Sequence, residues 1–427
     1  MNYIGIDLGT TAVKCGIYED GRELALYRRE YQLIADGDFV EQKAELWWEI
    51  IKEGIKTLAA DTGIYDIEAL SVSSQGISIV PIDADGNCMS NAISWLDTRA
   101  SEETEYLGKT IGEEEIYATT GKKLISCYTL PKMMWLKKHK PDIVKNAALF
   151  LMPLDFVNFK LCGEAVTDYS MASGTMMYDI DRRVWDKRFL ELAGVSESQL
   201  PKVAKMGTFL GYILPSLAKE LNVSPKMKII LGGQDQKLSA LGAGIGQGIA
   251  TLSVGTSSAI TFAMGGGEKR DFARFAFDDK DTVYEVALET TGAALKWLKN
   301  TMGYETYAEM DDDAEAAGCS GGVSFESNFA KGGSLSGIKL GVTRGQVVYG
   351  LYESIAGEIA RCFAPDDGIS EIRIFGGGAK SEIWCRVISK VTGKKVAMLN
   401  TNETAALGAV MLASGGRVAP ATIVKYI

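Results

Sequence analysis

Short apolar segments separated by polar turns, then longer stretches with helical spacing, recur twice along this chain. Residues 4–14, IGIDLGTTAVK, set an Asp and a Gly-Thr-Thr turn between two apolar segments, the pattern of strand, turn and strand. A further strand is expected near residues 23–31, followed by an amphipathic helix over 42–60. Strands are expected over 67–74 and 77–82, with a Gln-Gly turn between them. Helical spacing dominates 101–162, where Pro131, Pro141 and Pro153 suit helix starts. The apolar run 226–231 predicts a strand that ends in Gly232 and Gly233, with a helix over 237–241.

The second half repeats this order. Residues 250–264, ATLSVGTSSAITFAM, predict another hairpin, followed by a strand near 283–288 and a helix from Gly292. Val347, Leu351, Ile355 and Ile359 then recur at i, i+4 spacing in a long helix. A strand over 372–375 runs into Gly376, Gly377 and Gly378, and a helix begins near Ser381. The Gly-rich stretch 241–248 is the natural boundary, giving expected domains of 1–243 and 244–427. Two α/β lobes with a cleft between them follow from this pattern.

Composition narrows the chemistry. At 427 residues the chain is long enough for two ordinary domains, and 46% apolar with 23% charged residues is globular. A net charge of −10 offers no attraction to nucleic acid or to a membrane surface. Residues between Lys237 and Glu268 carry no charge, but their Gly, Ser, Thr and Gln content suits strand-turn-strand better than an apolar helix of about twenty residues. Seven scattered cysteines without a CxxC pair argue against a disulfide framework and a zinc site. Reduced thiols, together with an N-terminus that enters a strand without a signal pattern, point to the cytoplasm. The one histidine, His139, lies in KKHKP and reads as a solvated helix end, so a general base here is expected to be a carboxylate.

Several residues suit phosphate chemistry. Gly9 has no side chain to keep an anion from the backbone, and Thr10 and Thr11 can donate to phosphate oxygens. Asp7 would face a divalent cation that travels with the phosphate, since hard carboxylate oxygens suit Mg²⁺. An ordinary hairpin would look the same, but Gly255, Thr256 and Ser257 repeat the turn without the Asp, which suggests a duplicated domain with unequal halves. Asp235, after Gly232 and Gly233, is the candidate base; a helix N-cap is the alternative. The glycines at 376–378 either approach a nucleoside or tighten a strand-to-helix connection.

Taken in order, IGIDLGTTAVK, AISWLDTRA, PKMMWLKKH, GGQDQ, ATLSVGTSS, TTGAALKWL, YESIAGEIA, IFGGGAKSEIW and NETAALGAV resemble the FGGY carbohydrate kinase family. The resemblance runs over essentially the whole chain and is xylulokinase-like. It implies an α/β fold of two duplicated ribonuclease-H-like (actin-like ATPase) domains, the N-terminal one binding sugar and carrying the base, the C-terminal one binding nucleotide. It also implies ATP and Mg²⁺ as cofactors, a small sugar or polyol as substrate, and a homodimer as a candidate assembly. Asp235 would deprotonate the substrate hydroxyl, and Asp7 with Asp235 would supply the metal carboxylates. Gly9, Thr10, Thr11 and Lys14 match the first phosphate loop; Gly255, Thr256 and Ser257 fall in the second. Gly292, Gly377, Gly378 and Ser381 match segments around the nucleoside. Gln75, Trp95, Asp97, Arg99 and Gln236 fall on segments lining the sugar cavity, although a Trp is also a common core anchor.

Two departures bear on substrate. Xylulokinases resembled here carry Met-His, and glycerol kinases Arg-Glu, where this chain has Gly76 and Ile77; a roomier and less polar corner is therefore expected. The region between Gly265 and Gly341 is compressed and lacks the usual Arg-containing loop. The reading that follows is a kinase acting on a ketopentose such as xylulose. Its rivals are a kinase for another polyol or sugar acid (glycerol, erythritol or gluconate), an actin-like ATPase switch, and a catalytically weak sugar-binding relative.

Overall fold

The computed structural model describes residues 1–263, 272–288, 291–326, 332–364 and 367–427. Met264, Gly265 and Thr290, which belong to motifs discussed above, lie outside the described residues. The chain forms two compact units, and neither is continuous in sequence. The first comprises Met1–Gly242, Lys269–Val283 and Ala405–Pro420; the second comprises Ala243–Glu268, Tyr284–Thr404 and Ala421–Ile427. A single division into 1–243 and 244–427 thus misses two later segments that return to the first unit.

The first unit is built on a sheet of β1 (Asn2–Leu8), β2 (Ala12–Glu19), β3 (Arg22–Glu30), β4 (Ala69–Ser74), β5 (Phe209–Tyr212) and β6 (Lys228–Gln234), in the order β5-β6-β4-β1-β2-β3. β1 pairs antiparallel with β2 and parallel with β4, and β4 pairs parallel with β6. Ile4, Ile6, Leu8, Leu70, Val72 and Ile229 are buried in one core with Trp47, Ile51, Ile55 and Leu58 of α1 (Ala44–Thr62). Burying such side chains is worth roughly 1.5–3 kcal/mol each. The helix starts two residues later than expected because Gln42 closes the strand Phe39–Gln42 and is itself buried.

Glycine explains a second difference. The strand expected to stop before Gly232 continues to Gln234, since a Cβ at Gly232 would lie 1.8 Å from the Val72 carbonyl oxygen. Only a missing side chain allows that approach, so Gly232 serves strand packing rather than opening room for a ligand. α2 (Asp235–Ala243) follows without a loop. In the helical segment, Pro141 and Pro153 open their helices, whereas Pro131 is the third residue of the helix Thr129–His139. His139 ends that helix, exposed and stacked on Trp135.

The second unit repeats the arrangement. β7 (Ile249–Val254), β8 (Ser258–Ala263), β9 (Thr282–Leu288), β10 (Glu371–Gly376), β11 (Lys395–Leu399) and β12 (Ile423–Tyr426) are six consecutive strands of a seven-stranded sheet, in the order β9-β8-β7-β10-β11-β12. β7 and β8 form the hairpin, and β10 and β11 add in parallel, as β4 and β6 do in the first sheet. Around it stand α3 (Thr291–Thr301), α4 (Tyr307–Ala317), α5 (Arg344–Arg361) and α6 (Glu382–Thr392). α7 (Thr404–Ala413) carries the chain back to the first unit, where a Cβ on Gly5 of β1 would meet the Ala406 carbonyl oxygen at 2.4 Å. A Cβ on Gly408 would likewise meet the Leu238 carbonyl oxygen at 2.1 Å.

All seven cysteines are free thiols. Among the described residues no helix is long and apolar enough to cross a membrane.

One buried acid makes stability depend on pH. Burial pushes the Asp155 carboxyl up to about 8, although its Oδ2 accepts from the Met152 N–H at 2.9 Å. A folded-state value above the unfolded one means that this group's stabilisation is complete in acid and is lost as pH rises through about 8. We expect the stability advantage of the wild type over Asp155→Asn to shrink from pH 5 to pH 8, by up to about 1.4 kcal/mol per pH unit. Urea unfolding at the two pH values checks this, and a constant difference would refute it.

Candidate active site

The first hydroxylated loop joins β1 to β2. Leu8 pairs with Val13 to close it, and the Gly9 N–H donates to the Ala12 carbonyl at 2.9 Å. Below it the Tyr31 hydroxyl donates to the Gly9 carbonyl, while Gln42 Nε2 donates to the Thr10 carbonyl at 2.8 Å. The loop's carbonyls are thereby held from beneath. Asp7 pairs across the strands with Lys14, whose Nζ lies 3.9 Å from Asp7 Oδ2, and Ser73 Oγ donates to Asp7 Oδ1 at 3.4 Å. Both Asp7 and Lys14 are partly exposed, so the carboxylate and ammonium stand at the same end of the sheet as the loop hydroxyls.

Trp95 joins this loop directly. Its indole Nε1 donates to Thr10 Oγ1 at 2.9 Å, and the ring is 37% exposed, so it is not a core anchor. Its turn is held by Lys132, a buried residue that sequence reading passed over, which donates to the carbonyls of Ser94 at 2.6 Å and Cys127 at 2.7 Å. Burial lowers the Lys132 ammonium to about 8.

Three residues expected at the sugar cavity are instead turned inward. Gln75 is buried, with Nε2 3.5 Å from the Tyr31 hydroxyl, and so belongs to the support of the first loop. Asp97 is fully buried and accepts from the N–H groups of Val40 and Arg99 at 2.7 and 3.1 Å. Arg99 grips the same carboxylate at 2.7–2.9 Å, reaches Glu41 at 2.9 Å, and packs against the rings of Phe39 and Trp135 at 4.3 and 4.9 Å. A carboxylate so fully engaged fixes the turn that carries Trp95.

Asp235 begins α2 at the carboxyl end of β6, half-buried, and its Oδ1 accepts from the Gln236 N–H at 2.7 Å. Gln236 is also half-buried.

The second hydroxylated loop is shorter. Val254 pairs with Ser258, leaving Gly255, Thr256 and Ser257 as the exposed turn. The Ala293 N–H at the start of α3 donates to the Thr256 carbonyl at 2.8 Å, and a Cβ on Gly292 would stand 2.0 Å from the Gly255 carbonyl oxygen. Beside this loop lies a cavity of about 800 Å³, bordered by Gly255, Thr256, Gly292, Gly377, Gly378 and Ser381. Ser257, also expected at the phosphates, is not among its lining residues.

The floor and wall of the cavity come from α3, α5 and α6, which helical spacing had indicated, and from α4, which it had not. Asp311 of α4 accepts from the Tyr352 hydroxyl at 2.5 Å and from Ser381 Oγ at 2.7 Å, and burial raises its carboxyl above the ordinary range. Tyr352 and Trp384 stack at 6.0 Å, while Trp297 and Tyr307 add exposed rings to the lining. The Trp297, Tyr352 and Trp384 signals lay within TTGAALKWL, YESIAGEIA and IFGGGAKSEIW; Tyr307 and Asp311 carried no motif. Flat apolar rings beside a loop of hydroxyls and amides suit a ligand with an aromatic end and an anionic end.

The chain is a sugar kinase. Residues 2–242 match the N-terminal domain, and residues 250–415 the C-terminal domain, of the FGGY family of carbohydrate kinases, and the chain belongs to that family. Kinases of this family take the phosphoryl group from ATP. Among relatives, the xylulose kinase of Bacillus subtilis (strain 168) is 30% identical over 97% of this chain and 88% of its own length. The L-fuculokinase of Haemophilus influenzae is 25% identical over 96% of this chain and 93% of its own. Among solved structures, a xylulose kinase from Lactobacillus acidophilus superposes with a TM-score of 0.92 at 24% identity, covering all 100% of this chain and 93% of the other. The glycerol kinase of Plasmodium falciparum with ADP gives a TM-score of 0.89 at 20% identity, over 97% and 89% of the two chains. Those likenesses show the two-domain α/β fold.

Proposed function

We propose that the protein phosphorylates a terminal hydroxyl of a ketopentose such as xylulose, with the first unit taking the sugar and the second the nucleotide. The observation that carries the reading is Asp235, a half-buried carboxylate at a strand end and helix N-terminus in a chain with one exposed histidine. Identity of 30% with the Bacillus subtilis xylulose kinase supports the choice of sugar. Free thiols and the family's chemistry support a cytoplasmic enzyme.

In this reading Asp235 takes the proton of the acceptor hydroxyl, the oxygen attacks the γ-phosphorus in line, and the bond to the ADP oxygen breaks. In the first unit Lys14, Thr10 and Thr11 offer donors suited to phosphate; in the second, Thr256 does the same beside the aromatic cavity, which holds the nucleoside through Gly292, Gly377, Gly378 and Ser381. Trp95 and Gln236 contact the sugar, and the Asp97–Arg99 pair supports the turn that carries Trp95. No group of three or more acidic, His or Cys side chains able to hold a metal occurs among the described residues. Asp7 would hold Mg²⁺, its hard carboxylate oxygens at the partly exposed strand end suiting that ion, with Asp235 as the other candidate. When bound there, Mg²⁺ neutralises phosphate charge.

A coupled assay of ADP release over xylulose, fuculose, gluconate, erythritol and glycerol tests the proposal. The highest kcat/KM is expected with a ketopentose. Exclusive use of glycerol, or ATP hydrolysis indifferent to every sugar, would sink it.

A further inference from the structure

The corner expected to be roomy and apolar is occupied by a polar side chain. Gln234 ends β6, one residue before Asp235, with its N–H donating to Ser170 Oγ at 3.1 Å and its strand position opposite Ser74. Its side chain crosses to the turn after β4. A Cβ on Gly76 would lie 3.0 Å from Gln234 Nε2, 3.1 Å from Cγ and 3.4 Å from Cδ.

The turn cannot move aside to make room. Ile77 has φ +58, in the left-handed region where a β-branched residue is an outlier. Such strain costs about 1–3 kcal/mol and persists only where the surroundings impose it. Here the Ile77 carbonyl accepts from Thr129 Oγ1 at 3.1 Å, and the Ser78 N–H donates to the Gly76 carbonyl at 2.9 Å. A Cβ on Gly174 would be only 2.7 Å from Ile77 Cγ2, so the side chain is walled in as well. Strained backbone of this kind concentrates where ligands bind, and this turn abuts the side chain next to the candidate base.

Gln234 brings a further feature. Its carboxamide oxygen is buried and has no hydrogen-bond partner among the described residues. A buried acceptor left alone is destabilising, and a donor brought by a ligand removes that penalty.

We propose that Gln234 is a specificity-determining residue of the acceptor site. Its carboxamide fills the space that a side chain at position 76 would take, and its oxygen accepts a hydrogen bond from a sugar hydroxyl other than the one Asp235 deprotonates. Gly76 and Gln234 are one device in two parts, and the ligand class is a polyhydroxylated acceptor long enough to reach both Asp235 and Gln234. This inference rests on the kinase reading.

The test is kcat/KM for Gln234→Ala, Gly76→Ala and the double variant over the same acceptors. Gln234→Ala should lower kcat/KM for the preferred sugar by about 10- to 100-fold, with a smaller loss on glycerol and an unchanged KM for ATP. Gly76→Ala, which displaces the carboxamide, should lower it in the same direction, and the double variant should be no worse than Gln234→Ala alone. Equal losses on every acceptor, or losses that simply multiply, would overturn the proposal.

Calorimetric sugar binding to Asp235→Asn, with and without Gln234→Ala, reads the corner without chemistry. A tenfold or greater loss of sugar affinity supports the proposal, and equal affinity overturns it. A wild type that binds sugar in this way but transfers no phosphoryl group sinks the kinase reading alone. Absence of any sugar binding overturns both.

Discussion

Asp235→Asn should fold normally and lose phosphoryl transfer by on the order of 10²-fold or more, the contribution expected of a positioned general base. The substitution is close to isosteric, and Asn retains an oxygen able to accept the Gln236 N–H now bound at 2.7 Å, so the start of α2 should survive. What Asn lacks is the ability to take a proton near neutral pH. A kcat measured at saturating sugar and ATP, alongside a thermal unfolding curve, checks the two halves of the expectation. Near-normal turnover would remove Asp235 from the reaction, and a large fall in stability would make it a structural cap.

Gly292→Ala should cost the second unit most of its nucleotide affinity. The new methyl would fall 2.0 Å from the Gly255 carbonyl oxygen and 3.4 Å from Thr256 Cα, inside main chain rather than against a flexible side chain. The loop at 255–257 must therefore shift away from α3 and give up the 2.8 Å bond from the Ala293 N–H to the Thr256 carbonyl. Overpacking of this kind costs about 1–3 kcal/mol in stability. ADP affinity should fall by about tenfold or more, since that loss of contact energy bears on the loop facing the cavity. Calorimetry with ADP decides the matter. Unchanged affinity would show that the loop at 255–257 takes no part in holding nucleotide.

Much of the fold was legible because period and punctuation agreed. Both hairpins, α1, and the strand running into Gly376 stood out because apolar alternation or helical spacing ended at Gly or polar turns. The differences arose where a distant contact overruled the local signal. Gly232 looks like a strand terminator until Val72 is seen to press against it, and Gln42 looks helical until it is found beneath Thr10. The return of 405–420 to the first unit leaves no local mark at all, because its helix is apolar on every side and would suit either partner.

The candidate site was legible to the extent that its residues sit in turns with unusual composition. Asp7, Asp235 and the two hydroxylated loops occupy strand ends, as read. Asp97 and Arg99 carried the correct chemistry for a ligand but spend it on each other, and no spacing rule reveals that a carboxylate is already matched. The aromatic cavity could not be read, because Tyr307, Asp311, Tyr352 and Trp384 converge from three helices far apart in sequence. Gln234 was passed over for a similar reason. Its importance comes from what it touches, a glycine more than 150 positions earlier in the chain.

The placement of α7 against β1 and α2 also constrains how the protein is made. While a ribosome is still working on the middle of the chain, the first sheet has its strands but not the helix that lies over Gly5 and Leu238. Its covering surface emerges only when residues 405–413 leave the exit tunnel, after nearly all of the second unit has been synthesised. The usual N-terminal-first order of domain maturation is therefore interrupted. Nascent chains of this protein should expose that apolar surface to chaperones for most of translation, and a stop codon anywhere before residue 405 should yield a product in which neither half is properly finished.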